Sequence, residues 1–180
     1  MAEKWTYEKG LVETGNGIYA WLQPDGGWGW SNAGLIVDGD QSLLVDTLFD
    51  AKLTRNMLSA MADASGVKAE DIGTVVNTHA NGDHTHGNGL CVHAEVIASE
   101  ASAREMEAFT PEMMQGFMDA APGLGEAGQY VSSIFGTFDF TDVAEKLPTK
   151  TFSGEMEVKV GDKLVQLIEV GPAHTGGDVL

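Results

Sequence analysis

The sequence has little cysteine, few basic residues and no long apolar run. Cys91 is the one cysteine among 180 residues, so no internal disulfide can form, which fits a reducing compartment. The chain has ten Lys and Arg residues and 27 Asp and Glu residues, and the resulting formal net charge of −17 repels nucleic-acid phosphates and anionic membranes. No run has the length of a signal-peptide core or a membrane span. These absences predict a cytoplasmic protein without nucleic-acid or membrane partners.

The rest of the composition is that of a globular protein. Hydrophobic residues make up 43% of the chain and charged residues 21%, and 180 residues suffice to bury the core of one domain. Apolar β-branched runs alternate with helical periodicity, which predicts the α/β class. The predicted strands are 18–22, 35–37, 42–45, 74–78, 95–98, 155–160 and 164–170, with a turn at 23–27 and helices at 51–64, 99–109 and within 110–146.

One stretch, residues 77–88, concentrates the side chains that bind metals. It holds three histidines, one aspartate and three asparagines. The β-branched run before it predicts a buried strand, and its glycines predict a loop in which no helix forms. The ligands would then lie at the carboxyl end of a strand, where open α/β sheets place their chemistry. Imidazole and carboxylate groups suit zinc, and iron or manganese are the alternatives.

Two motifs in this order resemble those of the metallo-β-lactamase superfamily. The first matches its H-x-H-x-D-H motif, with Asn81, a weaker ligand, in place of the second histidine. The second, at 171–178, resembles the G-P-x-H-T-x-G-D segment of the family. The resemblance implies one or two metal ions, Zn²⁺ before Fe or Mn. The ligands that it implies are His79, Asp83, His84 and His174, with Asn81 as a possible weak ligand and Asp83 also catalytic.

The resemblance also implies a fold, a four-layer αββα sandwich. In the family, two α/β halves stack their sheets, and the second half supplies a further aspartate and a last histidine ligand. We expect residues 1–180 to form an incomplete domain of this kind, namely its amino-terminal half. The helical segment at about 99–146 is expected to be an insertion, whose Met and Phe side chains either line the substrate pocket or fill a local core.

Several residues near the motifs admit two interpretations. Trp28 and Trp30, on a glycine-rich loop, either pack over the sheet edge or form a wall of the substrate pocket. Asp46, at the end of a strand, either braces the metal ligands by hydrogen bonding or caps the following turn. His86 could replace the imidazole missing at position 81 or face away, and His93 is expected to be a surface or packing residue.

The function implied by the resemblance is hydrolysis of an ester, lactone, thioester or related carbonyl compound. A bound metal lowers the pKa of water from about 15.7 to about 7, which supplies hydroxide at neutral pH. Asp83 would orient that nucleophile or carry its proton. Two other functions remain open: an iron-dependent redox enzyme on the same fold, and a non-catalytic metal-binding or scaffold protein, which Asn81 favours.

The last expectation concerns partners other than a small-molecule substrate. If the chain is an amino-terminal half, the strand that starts at residues 179–180 leaves an open sheet edge and an uncovered apolar face. We therefore expect the active unit to need a second polypeptide, self-association or a carboxy-terminal half outside this sequence.

Overall fold

The computed structural model describes residues 8–23, 26–142 and 145–180. The predicted turn at 23–27 and the predicted helical stretch up to 146 each include residues outside these ranges. The strands are β1 (Gly10–Gly15), β2 (Ile18–Leu22), β3 (Ala33–Asp38), β4 (Gln41–Val45), β5 (Thr74–Val76), β6 (Glu95–Ser99), β7 (Lys150–Phe152), β8 (Glu155–Val160) and β9 (Lys163–Ile168). The helices are α1 (Ala51–Ser65), α2 (Gly82–Thr85), α3 (Glu100–Met106), α4 (Pro111–Ala120) and α5 (Gly125–Phe135).

The first seven strands form one mixed sheet in chain order. Strands β1 to β4 are antiparallel, and β4 to β7 run parallel to one another. The register aligns Leu44 of β4 with Val75 of β5, and Val75 with Val96 of β6. The carboxyl ends of these strands therefore share one edge of the sheet. Strands β8 and β9 form a second, antiparallel sheet.

Alternating side chains of the central strands build two cores, one on each face of the large sheet. Leu44, Val75 and Val96 belong to the core that contains Met57 and Met61 of α1. Their chain neighbours turn to the opposite face, as the period of two in a strand requires. That second core, between the two sheets, contains Leu43, Val76, Ile97, Phe152, Val160, Leu167 and Val179. The result is a layered α/β sandwich, which confirms the predicted fold class.

Helix α1 begins and ends where the sequence predicted, to within one residue. The side chain of Asp50 accepts a hydrogen bond from the Leu53 N–H at 2.7 Å, which caps the amino terminus. Gly66 ends the helix in the left-handed conformation, with φ of 80°. Ser99 and Thr110 cap α3 and α4 in the same way as Asp50.

The prediction that no helix forms in residues 77–88 is wrong over Gly82–Thr85, which form the single turn of α2. A turn this short needs few hydrogen bonds, here from His84 N to Asn81 O and from His86 N to Gly82 O, both at 2.9 Å. Strand β5 ends at Val76, two residues before the predicted end. Strands β1 and β7 were not predicted.

Three helices, α3 to α5, lie between β6 and β7, where the sequence predicted helices. That this stretch is an insertion stays a prediction. Helix α3 ends at Met106, before the predicted residue 109. None of the helices in the described ranges is both long enough and apolar enough to cross a membrane.

The uncovered apolar face expected beside residues 179–180 stays a prediction. On β8 the exposed side chains are Glu155, Glu157 and Lys159, and Val160 is buried in the core between the sheets, whereas on β9 Leu164 is 56% exposed. Val179 and Leu180 do lie beside β9, because Leu180 and Ile168 exchange two backbone hydrogen bonds of 2.9 Å.

Candidate functional site

The predicted metal ligands come from two parts of the chain, the segment between β5 and β6 and the segment after β9. The segment after β5 supplies His79, α2 supplies Asp83 and His84, and the loop after β9 supplies His174. The His79 ring centroid lies 4.2 Å from that of His84 and 5.2 Å from that of His174. The Asp83 Oδ2 atom is 3.7 Å from His84 Nε2. Four side chains that are up to 95 positions apart in the chain thus lie next to one another.

Asp46 forms hydrogen bonds to Thr78 and His84, and so fixes the position of the candidate ligands. It is 3% exposed, with φ of 61°, at the end of β4. Its Oδ1 accepts a hydrogen bond from the Thr78 N–H, and its Oδ2 accepts one from the Thr78 hydroxyl, both at 2.7 Å. The same Oδ2 lies 2.8 Å from His84 Nδ1. His84 Nδ1 is therefore engaged, which leaves Nε2 as the nitrogen available to the site.

The two neighbouring imidazoles differ in their affinity for protons. Burial alone would lower the pKa of His84, but the hydrogen bond and charge of Asp46, with the charge of Asp83, outweigh burial and raise it above the ordinary value. Burial and the adjacent His84 lower the pKa of His79 below the ordinary value, against the opposing charges of nearby aspartates. His79 thus favours the neutral form that donates to a metal.

Asn81 and Asp178 position the loop that carries His174. The Asn81 Nδ2 atom lies 2.8 Å from His174 Nε2, so the amide contacts the histidine. The carboxylate of Asp178 accepts hydrogen bonds from the backbone N–H groups of His174 and Thr175, both at 2.8 Å. Burial would raise the pKa of Asp178, but these hydrogen bonds, with one from the Thr175 hydroxyl, lower it below the ordinary value. Asp178 therefore serves as an ionised anchor for the loop.

A buried polar network beneath α2 was not predicted from the sequence. The Asn77 amide donates to the His84 carbonyl at 2.9 Å, and the Thr47 N–H donates to the same carbonyl at 2.9 Å. Asn88 links both residues, since it donates to Asn77 Oδ1 at 2.7 Å and accepts from the Thr47 hydroxyl at 3.1 Å. Ser31 donates to the carbonyl of Asp83. The asparagines of the motif were the visible signal, but their partners are distant in sequence.

A cleft of about 500 Å³ opens over these residues. Both tryptophans of the glycine-rich loop line it. Trp28 is 67% exposed, whereas the Trp30 ring packs 5.2 Å from that of Phe138, so Trp30 contacts both the cleft and a local core. Phe49 and Glu105 also line the cleft and were not predicted as site residues.

The two remaining histidines have different surroundings. His93 is exposed. His86 is 5% exposed, lines the cleft and packs 5.5 Å from the Phe49 ring, and neither of its ring nitrogens has a hydrogen-bond partner of ordinary geometry among the described residues. Burial lowers its pKa, so the ring is neutral. A Cβ on Gly82 would lie 2.5 Å from His86 Nε2, so only glycine allows this close contact.

The donor chemistry of the site fits a divalent metal, but the side chains do not yet enclose one. Neutral imidazole and carboxylate are ligands that zinc prefers, and Asp46 orients His84 as a carboxylate that supports a metal-bound histidine does. Within the ranges that the structure describes, however, no three or more His, Cys, Asp or Glu side chains surround a common point. Binding would require side-chain movement, including release of His174 from Asn81.

Comparisons with known proteins identify a family and a fold. The model of the metallo-beta-lactamase superfamily matches residues 26–180. A metallo-beta-lactamase structure from Hirschia baltica aligns with a TM-score of 0.57 and 16% identity, covering 94% of this chain and 64% of that chain. One from Pontibacter korlensis aligns with a TM-score of 0.63 and 14% identity, covering 96% and 65%. At such identities the likeness shows the fold alone. No curated protein matches the chain.

Proposed function

The chain belongs to the metallo-beta-lactamase superfamily, and from that premise we propose that it is a metal-dependent hydrolase of an ester, lactone, thioester or related carbonyl compound. The observation that carries the proposal is the convergence of His79, His84, His174 and Asp83 at one end of a cleft, above a carboxylate that orients His84. The chain spans about 64% of the length of the first solved structure it matches, so the activity of the whole relative is part of the proposal.

His79, His84 and His174 would hold the metal, with Asp83 as a further ligand and Zn²⁺ as the preferred ion. Asn81 would contribute weakly, because an amide oxygen binds divalent metals less well than imidazole. When bound, a divalent ion supplies a Lewis acid and lowers the pKa of water to about 7. The donor set alone would serve zinc, iron or manganese.

The protein's own residues would position the reactants and move the proton. Asp46 fixes the His84 ring, and Asp178 fixes the backbone of the His174 loop. Asp83, near His84 Nε2, can accept the proton that the attacking water loses and return it to the alkoxide or thiolate that leaves. The apolar side chains of the cleft would displace water from the part of a substrate that they contact, which would strengthen these electrostatic contacts.

The test combines elemental analysis with turnover of a panel of esters and lactones. We expect the purified protein to hold zinc and to hydrolyse at least one of them, and His79→Ala and His84→Ala each to lose both properties while the circular dichroism spectrum is kept. Replacement of the exposed His93 by Ala is the matched control and should change neither. Full activity in the His79 or His84 variant would contradict the assignment.

A second function, non-catalytic metal binding, is favoured by Asn81, whose amide contacts His174 where an imidazole ligand would stand. The same panel separates it from hydrolysis. Stoichiometric metal uptake without turnover, after loading with zinc, manganese or iron in turn, would support it. Iron with redox activity would instead support an iron-dependent redox enzyme.

A further inference from the structure

The cleft has a polar end and an apolar wall. The predicted metal ligands form the polar end, and the wall is made of Trp28, Trp30, Phe49, Phe109, Met114 and Phe135. A volume of about 500 Å³ lies within the range that holds a ligand of drug size. The space exceeds what a scissile carbonyl group alone would fill. The rest of a substrate must therefore lie against the apolar wall.

The apolar wall combines a fixed part with an exposed part. Phe49 is 5% exposed, and its ring packs 5.9 Å from Phe135 and 4.9 Å from Phe138, so the deep part of the wall is set by a cluster of aromatic rings. Trp28 and Phe109, by contrast, are 67% and 60% exposed. When an apolar group of a ligand covers large exposed aromatic side chains at a cleft, the burial of apolar surface favours binding.

The described lining residues carry no fixed positive charge. Among the cleft-lining residues within 8–23, 26–142 and 145–180, none is Lys or Arg, whereas Asp83 and Glu105 are present. Glu105 is held in place, because its carboxylate accepts the Gly176 N–H at 3.0 Å. The Lys9 ammonium lies 4.8 Å from the Trp30 ring centroid but does not line the cleft.

This charge distribution discriminates between substrates. A metal at the histidines would attract the carbonyl oxygen, but the described residues that form the apolar wall include no cation for a second anionic group. Placing a carboxylate there would bury an unpaired charge near Glu105 in a protein of net charge −17. We infer, on the basis of the hydrolase function proposed above, that the substrate is uncharged away from its scissile carbonyl and bears a bulky apolar or aromatic group that packs against Trp28, Phe109 and Phe135.

The kinetic test uses a matched pair of esters with the metal-loaded protein. The acyl chains of p-nitrophenyl pentanoate and p-nitrophenyl hemiglutarate have the same length, but the first ends in a methyl group and the second in a carboxylate. We expect kcat/KM to be at least about tenfold higher for the pentanoate ester, and the ratio to narrow at high salt. Equal or faster turnover of the hemiglutarate ester would overturn the inference and leave the hydrolase proposal standing.

A charge introduced into the wall should reverse the preference. Met114 lies on α4, is half-buried and lines the cleft. Met114→Lys should raise kcat/KM for the hemiglutarate ester relative to the pentanoate ester by about tenfold. Met114→Gln, which has similar length and no charge, is the matched control and should not. An unchanged ratio in the folded lysine variant would count against the inference.

A binding test needs no turnover. N-phenyl-1-naphthylamine is uncharged, and 8-anilinonaphthalene-1-sulfonate is its anionic analogue, and both become fluorescent in apolar sites. We expect the uncharged probe to bind at least about tenfold more tightly. Trp28→Ala should weaken it, whereas Tyr130→Ala, which removes an aromatic side chain that is 62% exposed and outside the cleft, should not.

The kinetic test and the binding test together distinguish failure of the hydrolase proposal from failure of the inference about the substrate. If no ester is hydrolysed with any metal, the hydrolase proposal fails, and the probe pair alone then decides which ligands the cleft accepts. Preference for the sulfonated probe, or an equal loss of binding in the Trp28 and Tyr130 variants, would overturn the inference.

Discussion

At the residue scale, Asp46 is the side chain on which the site geometry depends most directly. Asp46→Asn keeps the shape and tolerates the positive φ, but its amide cannot accept the hydrogen bonds that His84 and Thr78 give to Oδ2. We expect metal affinity to fall by about 10- to 100-fold, as measured by competition with a chelator. Asp63→Asn, on the exposed surface of α1, is the control. Unchanged affinity in the Asp46 variant would show that His84 needs no orientation.

Asn81 should limit the number of metal ions. Its amide is a weak ligand and contacts His174 in place of an imidazole, so we expect the unaltered protein to hold closer to one ion per chain than two. Asn81→His should raise the occupancy of the weaker site, as measured by elemental analysis after equilibrium dialysis. Two tightly held ions in the unaltered protein would contradict the prediction and make the buried His86 the first candidate for the missing ligand.

Cys91 should be inert in the folded protein. Burial raises the pKa of its thiol to about 12 from an ordinary value of 9.0, so about one molecule in 10⁴ carries the reactive thiolate at pH 8. We expect no reaction with a disulfide reagent until denaturant is added. In the unfolded chain the thiol has its ordinary pKa of 9.0, so it loses its proton at a lower pH than in the folded protein. The contribution of Cys91 to the free energy of unfolding therefore falls as the pH rises from about 9 to 12. Rapid labelling without denaturant would contradict burial.

At the scale of the element, the residue that caps α1 also links this helix to the segment after α5. Asp50 caps α1 and its Oδ2 accepts the Asp139 N–H at 3.3 Å. Asp50→Ala should lower the free energy of unfolding by about 1–2 kcal/mol, as measured by urea denaturation. Asp50→Asn should lower the free energy of unfolding much less than Asp50→Ala does, because asparagine caps a helix about equally well. A similar loss from Asp40→Ala, in an exposed turn, would contradict the capping explanation.

Local sequence signals predicted the elements whose own residues determine them. The strand at 18–22 and helix α1 follow from apolar periodicity and end signals. Strand β1 was missed because it is an edge strand with glycine at both ends and exposed residues between, and β7 because it has three residues. Helix α2 was missed because distant groups hold it, including the Thr47 N–H on the His84 carbonyl. The candidate ligands were visible as residue types, whereas the apolar wall comes from helices and loops that only the fold brings together.

At the scale of the whole molecule, the packing of the two sheets explains the position of the site. Parallel strands β4, β5 and β6 end at one edge, so Asp46, the His79 loop and Ser99 emerge side by side. The loop after β9 reaches the same edge, because the Val179 N–H donates to the Thr78 carbonyl at 2.7 Å and the Ser99 hydroxyl to the Gly177 carbonyl at 2.6 Å. The second sheet thereby delivers His174 to residues of the first.

The charge and the exposed apolar side chains of the surface have opposite effects on self-association. A net charge of −17 makes copies of the chain repel one another. Large apolar side chains are nevertheless exposed along the helical stretch between β6 and β7, where patches of this kind mark contact surfaces. Those at least 49% exposed are Phe109, Phe117, Leu124 and Tyr130. The requirement for self-association or a second polypeptide stays a prediction, and the balance of these two properties gives a way to test it.

Salt should shift that balance. The Debye length falls from about 10 Å at 0.1 M to about 3 Å at 1 M, which screens the repulsion and leaves apolar contacts intact. We therefore expect the mass measured by sedimentation to rise with sodium chloride concentration above the 19.1 kDa of one chain. Phe117→Glu, on α4, should reduce that rise, since it adds charge where apolar contact is expected. A single, fully active species of 19.1 kDa at every salt concentration would show that the chain needs no partner.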